Sequence, residues 1–233
     1  MSSISQELAN IRRRYGEWLI TVLTALLILM MFVFSPLQAA GYFVFQGLAI
    51  VGLLILIGGV LVLSRSPTAL TFMGIAFVAN AFIFFRRLYE PWPYDLHFVA
   101  GAWLIVALAL GAVIARAVFR RGRVTYHRIV GAILLYLLIA LAFTTLYAFI
   151  GLTFPDAIKG ISFDGNLAVI NSLFFLSFGA LTSSGFADII PQHQLARSLC
   201  NLESVVGQLF LAILLARLVT LELAEQIGRK ERR

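Results

Sequence analysis

The residues best suited to chemistry lie in the uncharged segment 166–187 and in the aspartate that follows it. The first half of this segment is apolar and helix-like, whereas residues 179–187 are small, hydroxyl-bearing and glycine-containing. Backbone carbonyl oxygens arranged around an axis can replace the hydration shell of a cation, and glycine permits the alternating backbone handedness that such an arrangement needs. The sequence contains no G-K-[ST], H-E-x-x-H or G-x-S-x-G motif, so ion coordination is favoured over catalysis.

The composition excludes a water-soluble protein. Of 233 residues, 61% are hydrophobic and 12% are charged, whereas soluble domains are usually about 25% charged and about 45–50% apolar. The charged side chains (18 Lys and Arg, 11 Asp and Glu) cannot cover a soluble globule of this size. Soluble enzymes, nucleic-acid-binding domains, secreted disulfide scaffolds and disordered chains are therefore excluded. We predict an all-α integral membrane protein.

Uncharged runs of about 20 residues mark the membrane helices. They predict six transmembrane helices, and these lie at residues 18–34, 42–63, 68–85, 96–115, 129–150 and 198–221. The proline-containing stretch 35–41 is predicted to break the first run into two helices. The segment 166–187 is long enough for a seventh crossing, and the distribution of charge decides whether it is one.

The basic residues indicate that segment 166–187 does not cross. Six crossings place both termini on one side, together with 14 of the 18 Lys and Arg residues, against 4 on the other side. This is a strong positive-inside bias, and a seventh crossing would move the basic tail to the opposite side. We therefore predict a re-entrant loop. Non-helical backbone at membrane depth must be buried in protein or line water, so several chains are expected to meet around a pore or cavity.

The sequence FGALTSSGFADIIP, residues 178–191, resembles the end of the pore helix and the selectivity filter of potassium channels, which read T-x-G-Y-G-D-x-x-P. The following stretch, 195–209, resembles the start of the pore-lining inner helix of that family, with Gly207 lying 19 residues after Asp188. The resemblance covers residues 131–221. It implies a homotetramer in which a re-entrant pore helix and a filter loop lie between helices five and six.

The resemblance implies roles for individual residues. A pore helix ending at Leu181 would direct its negative end at a cation. The implied filter lining consists of Thr182, Ser183, Ser184, Gly185, Phe186 and Ala187. The implied filter support and outer mouth consist of Phe175, Asp188, His193 and Glu203, and the implied gating hinge and cavity of Gly207, Phe210, Leu211 and Leu215.

Several of these residues have a second interpretation. Glu203 could pair with Arg197, support the back of the filter, or lie at the membrane interface. His193 could confer proton sensitivity or be a solvated loop residue. Gly207 could be a hinge or a helix-packing glycine. An apolar ring at Leu211 and Leu215 could gate by dewetting or reflect ordinary helix packing.

Three departures from the family pattern alter the expected selectivity. Ser184 replaces the usual valine, and Phe186 replaces tyrosine and so lacks the hydroxyl that tethers the filter. Ala187 replaces the second glycine, where a positive φ would cost about 1 kcal/mol or more. We therefore expect a remodelled filter with weak selectivity.

The predicted organisation has four parts: a cytoplasmic segment (1–16), a four-helix membrane domain (17–126), a pore domain (127–222) and a basic cytoplasmic tail (223–233). Arg116, Arg120 and Arg123 share a helix face, but span 96–115 contains no arginine and spans one to three contain no acidic partner. Intramembrane charges require such partners, so we expect a cytoplasmic collar and no intrinsic voltage sensor.

The sequence therefore predicts a homotetrameric cation channel that conducts monovalent cations (potassium or sodium). The expected location is the inner (plasma) membrane, with both termini cytoplasmic. The expected partners are other copies of the chain and membrane lipids, without nucleic acid, soluble ligand domain, cofactor or metal other than the permeant cations. The alternative is a non-conducting membrane sensor or interaction subunit on the same scaffold. An intramembrane enzyme ranks third, because no nucleophile–base or metal constellation is present.

Overall fold

The computed structural model describes residues 19–42, 71, 74–75, 78, 82, 94–119, 126–163, 168–185 and 188–230. Within these residues, four helices are long and apolar enough to cross a membrane, namely Leu19–Leu37, Asp95–Val118, Arg128–Thr153 and Gln194–Thr220. The protein is therefore a mostly helical, multi-pass membrane protein. The predicted second and third spans, 42–63 and 68–85, lie outside the described residues except at isolated positions, so the number six stays a prediction.

The first helix, α1, is described from residue 19 and does not end where the sequence predicts a break. It becomes π-helical over Met30–Phe34 and continues as an α-helix over Ser35–Ala39. A proline lacks an N–H, and its ring clashes with the preceding turn of an α-helix. For this reason the stretch 35–41, which contains Pro36, predicts a break. The wider π turn directly before Pro36 accommodates the ring, and the helix ends at Ala39.

Helix α2 spans Asp95–Val118 and α3 spans Tyr126–Thr153. The two helices pack along each other, and α1 packs against both of them through a shared apolar core. This core contains Leu23 and Leu27 of α1, Leu110 and Ile114 of α2, and Leu134 and Leu138 of α3. It is continuous across the predicted boundary at residues 126–127.

The remaining elements form a compact unit around α3. Strand β1 (Ile158–Lys159) is followed by helix α4 (Ala168–Leu181), strand β2 (Ile190–Pro191) and helix α5 (Gln194–Lys230). Helix α4 ends at Leu181, and this confirms the predicted end of the helix. Helix α5 is longer than the predicted span 198–221, because the helix continues through most of the predicted tail to Lys230.

Burial differs strongly between the two long helices that flank α4. In an 18-residue apolar stretch of α3, 67% of the residues are buried, whereas in the corresponding stretch of α5 only 11% are buried. Helix α3 is therefore the centre of the fold. Helix α5 contacts α4 and α3 along one side and leaves most of its surface uncovered.

Candidate functional site: the re-entrant segment and its supports

Helix α4 is too short to cross a membrane, and the strands before and after it pair with each other. Its 14 residues span about 21 Å, against about 30 Å of hydrocarbon. Strand β1 precedes α4 and pairs antiparallel with β2, which follows it, through Ile158 with Pro191 and Lys159 with Ile190. The two ends of the segment therefore lie side by side, as in a re-entrant loop.

The C-terminal end of α4 lies at the mid-depth of its neighbours. The hydroxyl of Tyr136, near the middle of α3, donates to the carbonyl of Leu181 at 3.3 Å. The hydroxyl of Ser204, near the middle of the apolar span Gln194–Thr220 of α5, donates to the carbonyl of Ala180 at 2.8 Å. At Gly207, one turn further along α5, a Cβ atom would overlap the carbonyl oxygen of Leu181. Both helices therefore contact α4 where the predicted filter begins.

The chain leaves α4 through a left-handed residue. Ser183 has φ +56° and Gly185 has φ +79°, and Ser184 between them does not have a positive φ. The N–H groups of Thr182 and Ser183 donate to the carbonyls of Phe178 and Ala180, each at 3.0 Å, and that of Gly185 donates to Gly179 at 3.3 Å. Backbone of alternating handedness is what a filter needs to direct successive carbonyls toward one axis. The same bonds close the end of the helix as a cap does.

Side chains stabilise this turn on both faces. The hydroxyl of Thr182 donates to the carbonyl of Phe178 at 2.6 Å and lies 3.0 Å from the hydroxyl of Ser184. The amide Nε2 of Gln208 on α5 donates to the hydroxyl of Ser183 at 3.1 Å. Ser204, Gly207 and Gln208 thus form one contact strip on α5, because residues three and four apart share a helix face.

The described part of the predicted filter is uncovered. Thr182, Ser183, Ser184 and Gly185 are all exposed, as is Gln208 beside them. These polar groups lie at the mid-depth of the spanning helices, where lipid offers no hydrogen-bond partner. Something other than lipid must therefore face them. Phe186 and Ala187, also predicted to line the filter, lie outside the described residues.

Glu203 is part of a buried hydrogen-bond network behind α4. Its carboxyl group is 2.7 Å from the hydroxyl of Tyr147 on α3 and 2.5 Å from the hydroxyl of Ser177 on α4. All three side chains are fully buried. The pairing with Arg197 is not formed, since the Arg197 Nε donates to the carbonyl of Pro191 at 3.1 Å. Glu203 contacts α4 at Ser177, within the helix, so support of the back of the filter stays a prediction.

The predicted outer-mouth residues lie around β2. Asp188 is exposed, and its carbonyl lies against Gly160, where φ is +89° and a Cβ atom would overlap that oxygen. The His193 ring stacks on Phe154 at 4.3 Å, and its Nδ1 accepts the N–H of Leu195 at 3.2 Å. His193 therefore caps the start of α5, a role that neither interpretation from the sequence included.

The predicted cavity residues and the predicted filter-support residue Phe175 divide into two groups. Leu211 and Leu215 are 47% and 64% exposed and lie on the uncovered side of α5, and Phe175 on α4 is 50% exposed. Phe210 packs instead against the Tyr136 ring, with a centroid separation of 5.6 Å. Gly207 has the close helix contact of the packing interpretation, and its role as a hinge stays a prediction.

Four residues that the structure brings to the site were not predicted from the sequence: Tyr136, Tyr147, Ser177 and Ser204. Each places a hydroxyl inside an apolar span, where a hydrogen-bond partner is required. This requirement predicts that each hydroxyl has a partner, but it does not identify the partner. Tyr147 and Ser177, for example, lie 56 and 26 positions from Glu203 in the sequence.

The bond from Tyr136 to the end of α4 should contribute measurably to stability. We expect Tyr136→Phe to lower the free energy of unfolding by about 1 kcal/mol, the usual value of one such hydrogen bond. The measurement is thermal unfolding of the purified protein. Tyr42→Phe is the control, because Tyr42 is 59% exposed. Equal effects of the two substitutions would contradict a role for the bond.

No family model, curated protein or solved structure matches the chain. The function is therefore inferred from the geometry of this site.

Proposed function

We propose that this protein is the subunit of a homotetrameric pore-loop cation channel. It conducts monovalent cations with weak potassium selectivity, has six transmembrane helices and lacks an intrinsic voltage sensor. The filter segment, residues 182–187, surrounds the central axis, and α5 lines the inner vestibule. The channel lies in the inner (plasma) membrane, with both termini in the cytoplasm.

The observation that carries this proposal is the exposure of Thr182, Ser183, Ser184 and Gly185 at the mid-depth of the spanning helices. Backbone at this depth requires protein or water. Helix α5, beside these residues, is uncovered along most of its length. Further copies of the chain, arranged so that the filter segments face one water-filled axis, satisfy both requirements together.

Weak selectivity follows from the composition of the filter segment. Phe186 stands where the family has tyrosine and lacks the hydroxyl that tethers the filter. Ala187 stands where the family has its second glycine, and a positive φ there would cost about 1 kcal/mol or more in every subunit. A filter remodelled at its outer end compensates the dehydration of the ion less completely.

The direct test is flux through liposomes that contain the purified full-length protein, with potassium, sodium and a large organic cation compared. We expect both small cations to pass with less than about tenfold preference and the organic cation to be excluded. Mass measurement in native nanodiscs should give four chains. Monomers without flux would overturn the proposal, and a potassium preference above tenfold would overturn its weak selectivity.

Asp188 should contribute to conduction through its charge. Four exposed carboxylates around the outer mouth would concentrate cations, so Asp188→Asn is expected to reduce flux about twofold to fivefold at low ionic strength and less at high salt. The matched control is Asp156→Asn, because Asp156 is an exposed acid in the loop before β1. Equal loss in both variants would show a general surface-charge effect.

One observation favours the alternative, a non-conducting sensor or interaction subunit. The bond from the Gly185 N–H to the Gly179 carbonyl bends the start of the filter segment back onto α4, as in a helix cap. A tetramer that excludes all three cations across a range of conditions would support this alternative. Flux that disappears in filter variants would rule it out.

A further inference from the structure

The hydrogen bonds around Glu203 can be counted proton by proton. The Ser177 hydroxyl lies 2.9 Å from the carbonyl of Ala140 and 2.5 Å from one carboxyl oxygen of Glu203. The Ala140 carbonyl also accepts from the Thr144 hydroxyl at 2.8 Å. A hydroxyl has one proton to donate, and a carbonyl can only accept. If Ser177 donates to Ala140, the proton between Ser177 and Glu203 must come from Glu203.

The other carboxyl oxygen needs no proton of its own. It accepts from the Tyr147 hydroxyl at 2.7 Å, and the Cys200 thiol lies 3.2 Å from that same hydroxyl. The thiol can donate to the phenol oxygen, which completes the set. Four contacts are then to be filled: Ser177 with Ala140, Ser177 with Glu203, Tyr147 with Glu203, and Cys200 with Tyr147. If Glu203 carries one proton, each of these contacts has one hydrogen between its two heavy atoms.

An ionised Glu203 would leave one contact without a hydrogen. Ser177 and Tyr147 would both donate to the carboxylate, and the Ser177 oxygen would then face the Ala140 carbonyl at 2.9 Å with no proton between them. Within the described residues, the hydrogen bonds of Glu203 are those with Ser177 and Tyr147, and no Lys or Arg forms an ion pair with it. An unpaired charge at this depth is costly.

We infer that Glu203 is present as the neutral carboxylic acid, and that its proton closes a hydrogen-bond chain from α5 through Ser177 of α4 to the Ala140 carbonyl of α3. Glu203 is a positioning residue, because it touches no part of the filter segment. Through Ser177, it sets the position of α4, whose C-terminal end begins the filter segment. The link to conduction rests on the proposed function, whereas the protonation state does not.

Infrared spectroscopy of the full-length protein in lipid tests the protonation state directly. The wild-type spectrum minus that of Glu203→Gln, at neutral pH, should contain the carbonyl stretch of a carboxylic acid. Tyr147→Phe should move that band to higher wavenumber, because the carbonyl oxygen loses its hydrogen bond. If Glu203→Gln fails to fold, the wild-type spectrum minus that of Tyr147→Phe gives the same assignment. A carboxylate band in place of the carboxylic acid band, in either difference spectrum, would overturn the inference.

Flux tests the positioning role. Glu203→Gln keeps one donor and one acceptor in the same shape, so its flux should stay within about twofold of wild type, whereas Glu203→Leu should lose about tenfold or more because Ser177 and Tyr147 lose their partner. Equal flux in these two variants would overturn the positioning role. If no variant conducts, the proposed function fails while the infrared result still stands.

Discussion

Replacing Gly207 with alanine is expected to destabilise the protein by about 3 kcal/mol or more per subunit, the upper end of the range for overpacking. The added Cβ atom would overlap the Leu181 carbonyl oxygen. That oxygen belongs to the backbone and is bonded to Tyr136, while the preceding carbonyl is bonded to Ser204. The end of α4 can move away from the added atom only if these hydrogen bonds break, so the substitution should displace both the end of α4 and the filter segment.

The control for this substitution is Gly111→Ala. Both glycines lie inside long helices, so both variants gain about 1 kcal/mol of helix propensity. At Gly111, the new atom would meet only the Leu135 Cδ1 at 3.8 Å, an ordinary contact. Thermal unfolding and the yield of tetramer should therefore be unchanged or improved for Gly111→Ala and sharply reduced for Gly207→Ala. Similar behaviour of the two variants would show that α4 does not rest on α5 at Gly207.

Replacing Gly185 with alanine is expected to reduce cation flux at least about tenfold. Its φ of +79° is strained for any residue with a Cβ atom, and the cost is about 1–2 kcal/mol per position. Because four copies would meet at one axis, relief of this strain would turn carbonyl oxygens away from the ion in every subunit. The measurement is flux through liposomes, with tetramer yield measured in parallel.

Gly41→Ala is the matched control, because it introduces a similar backbone strain outside the filter segment. Gly41 has φ +89°, and at both glycines an added Cβ atom would have no neighbour within 4 Å among the described residues. Both substitutions should therefore lower stability by a similar amount. Only Gly185→Ala should lower flux beyond its effect on yield. Equal loss of flux in the two variants would contradict the role of residue 185 in the ion pathway.

Local composition predicted a helix followed by a non-helical segment, but it placed the change at Gly179. The end at Leu181 was implied by the resemblance to potassium channels, and the structure has the helix end there. The long apolar spans around it were predicted for the same reason, because hydrophobic length is a property of neighbouring residues. The four residues after Leu181 are exposed, and what faces them stays a prediction.

The errors lie where distant residues or local backbone adjustments decide the outcome. The π turn before Pro36 keeps α1 helical, and single-residue preferences do not predict such a turn. Tyr147 and Ser177 approach Glu203 only because three helices pack together. The close contact at Gly207 has the same origin, since it depends on the height at which α4 meets α5. Helix packing was one interpretation of Gly207 from the sequence, but no sequence pattern indicates how closely the two backbones approach.

The length of α5 has a mechanical consequence. The helix runs without a break from Gln194 to Lys230, and its contacts with α4 lie at Ser204, Gly207 and Gln208. About 33 Å of helix separates these contacts from the C-terminal end of α5. A displacement applied near the basic end is therefore carried along one continuous helix to the residues that contact the end of α4. Under the proposed function, this helix would couple force at its C-terminal end to the start of the filter segment.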